Sequence, residues 1–255
     1  MATFEMKFRS KALGFNTMVN VILPDADLEN PSKEPLKTLY LLHGHGGNYG
    51  DWMQKTSILR YATDHKIAVV MPDGGNSWYT DTCYGPKYFT YLTEELPAVC
   101  RAHFGRMSDL REYNMIAGLS MGGYGALKAA LTYPERYFGC ASLSGSLDVT
   151  RKGRSINLAE WRGVFDFNLQ SGDELAGSRH DIFRLAEEQG KDPSRLPDFY
   201  LWCGTEDALI HQSRNYHALF EKMGVKHRFE ESEGTHAWRW WDLHVQDALA
   251  YLLEE

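Results

Sequence analysis

The 255-residue chain has no apolar run near the ~20 residues that a membrane-spanning helix needs. Its longest apolar stretches, among them 67–71 and 248–253, hold five or six residues. The N-terminal MATFEMKFRSKALGF mixes charged with apolar residues and has no h-region, so no secretory signal is expected. Cysteine is sparse. Cys83, Cys100, Cys140 and Cys203 form no C-x-x-C pair, and two of them sit inside apolar strand-like runs. Buried reduced thiols are the expectation, which fits a cytoplasmic protein. Positive charge is in deficit, with 27 Lys and Arg against 34 Asp and Glu, a net charge of −7. That excludes a general nucleic-acid or anionic-membrane surface and leaves a small neutral molecule as the expected partner. Repeats, low-complexity segments and long linkers are also missing. The 43% hydrophobic and 24% charged content is that of a folded globular protein and not of a disordered one.

What the chain does have is alternation. Residues 3–9 and 17–23 read as two antiparallel strands, ended by Pro24, and 25–35 as a polar loop. Short apolar runs then recur at Thr38–Leu42, 67–71, 113–119, Gly139–Leu143 and 199–203, with a weaker alternating run at 226–230. Between and after them lie helical patterns at 51–65, 88–104 (despite Pro97), Met121–Thr132, 209–223 and 236–253. Apolar runs of about five residues suit strands buried on both faces, and strand–helix alternation implies right-handed parallel crossovers. The expected fold class is α/β, with a mostly parallel sheet, antiparallel N-terminal strands and helices on both faces. Residues 145–195 carry no strong strand and only short helical patterns at 158–165 and 173–189. Between two sheet strands they read as a small inserted cap on a single domain spanning 1–255.

One motif carries chemistry. Gly118-Leu119-Ser120-Met121-Gly122 is a G-x-S-x-G, preceded by strand-like YNMIAGL and followed by helix-like MGGYGALKAAL. A nucleophile elbow needs that strand–turn–helix context, because the serine occupies a sharp, strained turn and small neighbours let the backbones pass. A bland alternative is that Ser120 only caps the helix. A serine hydroxyl needs an adjacent base. Of the ten histidines, His211, His217, His227, His236 and His244 follow Ser120 within reach of the last strands. His236 alone lies in a loop after the last strand, where catalytic groups of such sheets gather. The acid should follow strand 199–203, where Glu206 and Asp207 both qualify and Asp207, deeper in the loop, is preferred. Its task is to orient the imidazole and stabilise its charged form. Two backbone N–H groups should bind the developing oxyanion. One is Met121, and the other belongs to the glycine-rich loop His43-Gly44-His45-Gly46-Gly47-Asn48. The His43–His45 pair lacks a clear third ligand, so no metal is expected, and no organic cofactor either.

These motifs together resemble the esterase D branch of the α/β-hydrolases, most closely the bacterial tributyrin esterases. The resemblance rests on YLLHGHGGN, SWYTDTCYG, AGLSMGGYGALK, WRGVF, WCGTED and GTHAWRWW, spread over residues 36–245. It implies a serine carboxylesterase for short acyl chains, with Ser120, Asp207 and His236 as the triad and the N–H groups of His45 and Met121 as the oxyanion hole. Position 45 is usually apolar in such relatives and is histidine here. The loop also lacks the threonine and cysteine of S-formylglutathione hydrolases. The His236-Ala237-Trp238 ending is shared with feruloyl and acetyl-sugar esterases, which keeps carbohydrate esters open. Acyltransfer, peptide hydrolysis and non-catalytic binding are the other readings of the scaffold. Trp78, Tyr79 and Trp238 are the candidate substrate-binding aromatics, whereas Trp241 reads as core and Trp161 as part of the insert. The sequence leaves the oligomeric state, homo-oligomer included, undecided.

Overall fold

The computed structural model describes residues 1–25, 29, 32–150 and 157–254. Residues 151–156 of the expected insert and five positions of the 25–35 loop lie outside them. Eight strands form one sheet: β1 (Ala2–Arg9), β2 (Asn16–Leu23), β3 (Thr38–Leu42), β4 (Ala68–Pro72), β5 (Asn114–Leu119), β6 (Gly139–Leu143), β7 (Asp198–Gly204) and β8 (His227–Ser232). Their spatial order is β1-β2-β4-β3-β5-β6-β7-β8. β1 and β2 pair antiparallel, β2 joins β4 antiparallel, and all pairings from β4 to β8 are parallel.

Strands β3 to β7 are almost wholly buried and mostly apolar on both faces because both faces are covered. Tyr40, Leu42, Val70 and Ile116 point into one core, packed by α4 (Leu96–His103), α5 (Met121–Thr132), α7 (Ile182–Gln189) and α8 (Ile210–Met223). Leu39, Leu41, Val69 and Ala117 point into the other, packed by α1 (Asp51–Lys55), α2 (Ile58–His65) and α9 (Trp238–Leu253). α5 is buried along nearly its whole length. Its glycine and alanine content lets it lie close against β5 and β6. Among the described residues no helix is long and apolar enough to cross a membrane.

Three expected helices differ in detail. The 51–65 pattern divides at Thr56, which is extended at φ −140°, ψ 171°. The Ser57 N–H that follows donates to Asp242 of α9 at 2.8 Å. The 88–104 pattern is continuous but carries a π turn at Tyr91–Glu95. Pro97 has no N–H for the Thr93 carbonyl, and Arg136 supplies a donor to that carbonyl at 2.7 Å instead. The 173–189 pattern becomes a short turn at Gly172–Leu175 and then α7, whose N-cap Asp181 accepts from the Phe183 and Arg184 N–H groups. α6 (Leu158–Val164) completes the segment between β6 and β7. Its Trp161 and Val164, with Phe165 and Ile182, join the core beneath α5 and α8.

Candidate active site

The strand order sets the location. After β3 the chain moves to β4 on one side, then crosses to β5 on the other. The loops leaving β3 and β5 therefore meet at a topological switch point, beyond the carboxyl ends of parallel strands. Packing there is tight. A Cβ on Gly122 would stand 2.5 Å from the Leu42 carbonyl oxygen, and one on Gly118 would stand 2.4 Å from the Gly122 carbonyl. Only glycine permits this approach, and it brings the start of α5 against the end of β3.

Ser120 sits between them at φ 52°, ψ −116°, a conformation costly for a residue with a side chain. It is held by its neighbours. Its N–H donates to Leu143 at 3.0 Å, and its carbonyl accepts from Tyr124 at 3.2 Å and Ser146 at 3.0 Å. The turn points Oγ toward His236, with Nε2 at 3.1 Å. His236 Nδ1 lies 2.8 Å from Asp207 Oδ2. A carboxylate only accepts, so Nδ1 carries the proton and the Nε2 lone pair faces the serine hydroxyl.

Asp207 is buried, which raises its pKa. The hydrogen bonds from His236 and from the Leu209 N–H, at 2.8 Å, outweigh that burial and hold the carboxyl below its ordinary value. Glu206 has a different occupation. Its Oε2 accepts from the Gly234 N–H at 2.7 Å, while its own N–H donates to the Gly234 carbonyl at 3.0 Å. The Thr205 N–H donates to Ser232 at 2.8 Å, and Gly204 lies directly against Gly234. The loop after β7 and the loop after β8 are thus fastened backbone to backbone. Of the other candidate histidines, His217 faces His227 at 2.7 Å and His244 pairs with Asp247 at 2.8 Å. Neither arrangement involves Ser120.

The Met121 N–H lies in the first turn of α5 and has no intrahelical acceptor. Among the described residues neither it nor the His45 N–H donates to a protein group. Gly46, with φ 75°, turns the loop, and its N–H is held by Asn76 Oδ1 at 2.7 Å. His43 anchors the loop from below. Its Nε2 accepts from the Gly74 N–H at 2.8 Å and its Nδ1 donates to the Gly44 carbonyl at 2.7 Å. Burial lowers its pKa, so it stays neutral, and both nitrogens are engaged.

The aromatic candidates differ in placement. Tyr79 is 1% exposed, and its hydroxyl donates to the His43 carbonyl at 3.1 Å. It supports the glycine-rich loop from behind and is not the open pocket wall expected of it. Trp78 is buried too, edge-on against Tyr124 and Trp161. Trp238 is half-buried against Trp52 and Trp241, with Lys55 4.9 Å from its ring centroid. Trp241 is buried in the core, as its helical spacing suggests. It also sets its ring edge against His236, with centroids 4.9 Å apart, and donates to Ser144 Oγ at 3.1 Å. Ser144 (φ 48°) lies near Asp207 and adds a small lowering to its pKa. No functional motif marks Glu160. It projects from α6 and binds both His45 Nε2, at 2.9 Å, and the Trp78 indole N–H, at 3.0 Å. Asn157-x-x-Glu160 reads only as a helix start.

A family model described as "Putative esterase" matches residues 10–252. The chain is 33% identical to an acetyl esterase from Caldicellulosiruptor saccharolyticus, over 99% of this chain and 98% of that one. Among solved structures it is similar to the fluorophosphonate-binding serine hydrolase FphF of Staphylococcus aureus, with TM-score 0.90 and 29% identity over 100% of this chain and 99% of that one. An S-formylglutathione hydrolase (FrmB) from the same organism gives TM-score 0.87 and 28% identity, covering 99% of each chain. With this sheet, these loops and these relatives, the chain belongs to the esterase family of α/β-hydrolases and is a carboxylic ester hydrolase.

Proposed function

We propose that the protein is a serine carboxylesterase that hydrolyses short-chain acyl esters through Ser120, His236 and Asp207. The observation that carries this reading is the unbroken chain from Ser120 Oγ to His236 Nε2 (3.1 Å) and from His236 Nδ1 to Asp207 Oδ2 (2.8 Å). Ser120 Oγ attacks the ester carbonyl carbon as His236 Nε2 takes its proton. The tetrahedral oxyanion is received by the N–H groups of Met121 and His45. The C–O bond to the alcohol breaks, and the alcohol leaves with the proton from His236. Water, deprotonated by the same nitrogen, attacks the acyl-enzyme and releases the acid. Asp207 keeps the imidazole in the required tautomer and balances its charge during both halves.

Small acyl groups are favoured because the Trp241 ring edge stands against His236, the partner of Ser120, and because a similar protein is named an acetyl esterase. Within the 145–195 insert, α6 acts as part of a cap and brings Glu160 to the glycine-rich loop. An ester panel tests the assignment. It comprises p-nitrophenyl acetate, butyrate and octanoate, methyl ferulate, an acetylated xylose oligomer and S-formylglutathione, with Ser120→Ala as control. The expected result is a steep preference for acetate and butyrate and loss of several orders of magnitude in kcat in the variant. Full activity of Ser120→Ala sinks the mechanism. A far higher kcat/KM for the ferulate, the acetylated sugar or S-formylglutathione moves the substrate class and leaves the mechanism intact.

A further inference from the structure

Two histidines and a glutamate converge far from Ser120. His217 and Glu221 are four residues apart on α8, and so share one face of its last turns. The chain then reverses at Gly224 (φ 68°) and starts β8 with His227. This puts His217 Nδ1 2.7 Å from His227 Nε2, and Glu221 Oε1 3.7 Å from the same nitrogen. One ligand atom from each of the three residues lies within 4.8 Å of the others.

The surroundings prepare these atoms for a cation. His227 Nδ1 stands 2.8 Å from the Val225 carbonyl, which can only accept, so Nδ1 holds the proton and the Nε2 lone pair turns inward. A backbone carbonyl on the far nitrogen is how proteins fix a metal-ligating histidine. Both rings are clamped. His217 is stacked on Phe229 at 4.7 Å, and His227 is set edge-on to Phe220 at 5.3 Å. The His227 side chain is 2% exposed and that of Glu221 is 67% exposed. A bound ion would therefore have a fixed inner wall and an open outer side for water.

We propose that His217, Glu221 and His227 form a binding site for a borderline divalent cation, Zn²⁺ foremost. Two imidazoles and one carboxylate, completed by water, suit zinc, whereas magnesium and calcium prefer oxygen donors alone. Tetrahedral bonds of about 2.0–2.1 Å put ligand nitrogens about 3.3 Å apart, so the histidines must separate by roughly half an ångström. His217 Nδ1, now the donor to His227, passes its proton to its own Nε2 through solvent, and both lone pairs then face the ion. Nearby, Glu231 is paired with Arg214. His227 opens β8, whereas Ser120 follows the end of the parallel strand β5, so the site lies at the opposite end of the sheet from the esterase chemistry. The ion would pin the last turns of α8 to the edge strand and take no part in ester cleavage.

The test uses the full chain, stripped with a chelator and dialysed. Zn²⁺ is titrated by calorimetry, and thermal unfolding is followed with and without it. The expected result is one ion per chain, a Tm raised by several degrees, and unchanged p-nitrophenyl acetate hydrolysis. His227→Gln and His217→Asn should abolish both the binding and the Tm shift. Glu221→Gln alters an exposed group, leaves folding intact and should weaken binding at least several-fold. His45→Asn removes an exposed imidazole–carboxylate pair elsewhere on the molecule and should change nothing in the titration. Absence of a one-to-one isotherm in the wild type overturns the proposal, as does equal zinc affinity in the wild type and Glu221→Gln.

Discussion

Glu160 Oε1 stands 2.9 Å from His45 Nε2, joining the helix inserted after β6 to the glycine-rich loop that follows β3. The same oxygen accepts from Trp78 at 3.0 Å. One carboxylate thus fixes the side chain of the residue whose N–H is assigned to the oxyanion.

Glu160→Ala should release that loop. The expected outcome is a fall of about tenfold in kcat with a smaller change in KM, because misplaced donors are felt most in the transition state. Glu160→Gln keeps an acceptor oxygen and should retain most activity. Steady-state kinetics on p-nitrophenyl acetate check both, and equal activity in all three proteins would deny Glu160 a positioning role.

Asp207→Asn should lower kcat by about 10⁴, since an amide can hold the wrong histidine tautomer. Glu206→Gln should stay within about tenfold of the wild type, because Glu206 bonds the Gly234 N–H and not the imidazole. The ratio of the two effects, measured on one ester, separates the two neighbouring acids.

Lys128 offers a pH test of stability. Its ammonium is buried in α5, donating to Thr80 and lying 3.4 Å from His180 Nδ1. Burial, with the Arg179 charge second, lowers its pKa from 10.5 to about 7, against the opposing pull of Asp81. Between those two values the unfolded chain binds the proton and the folded chain does not. Stability from this group therefore rises with pH across that window, by at most about 1.4 kcal/mol per pH unit. Below pH 7 the penalty is fully present. Lys128→Met should stabilise the protein more at pH 6 than at pH 9.5, as read by urea unfolding, and a constant difference would contradict this.

Glycines at the elbow and in the insert should respond in opposite directions. Gly122→Ala forces a Cβ against the backbone oxygens of Leu42 and His43 at 2.5 and 2.7 Å, which side-chain motion cannot relieve. A loss of about 3 kcal/mol or more is expected. Gly163, in α6, meets only Tyr84 at 3.8 Å, an ordinary contact. Gly163→Ala should stabilise by up to about 1 kcal/mol through helix propensity. Thermal unfolding of the two variants reads both.

Strands β3 to β7 were legible because they are short, mostly apolar runs, and α5 is bounded as its pattern suggests, at Met121–Thr132. Ser120 and His236, whose side chains meet at 3.1 Å, could be singled out in the sequence since each stands at a place the topology marks. The less legible features depend on contacts remote in sequence. Thr56 interrupts the 51–65 helix where the following residue meets Asp242, and nothing local marks that meeting. Tyr79 read as a pocket aromatic because its hydroxyl's partner, the His43 carbonyl, lies 36 residues away. Glu160 carries no motif, and only the packing of α6 over the β3 loop gives it a role.

The fastening of the loop after β7 to the loop after β8 constrains how this chain can vary. Gly204 against Gly234, and Glu206 bonded twice to Gly234, make Asp207 and His236 ride on one mechanical piece. Inserting or deleting a residue in either loop would displace both groups together, so tolerated length changes should occur in pairs. An engineer grafting this hydrolytic centre onto another scaffold would have to move residues 204–207 and 232–236 as a unit.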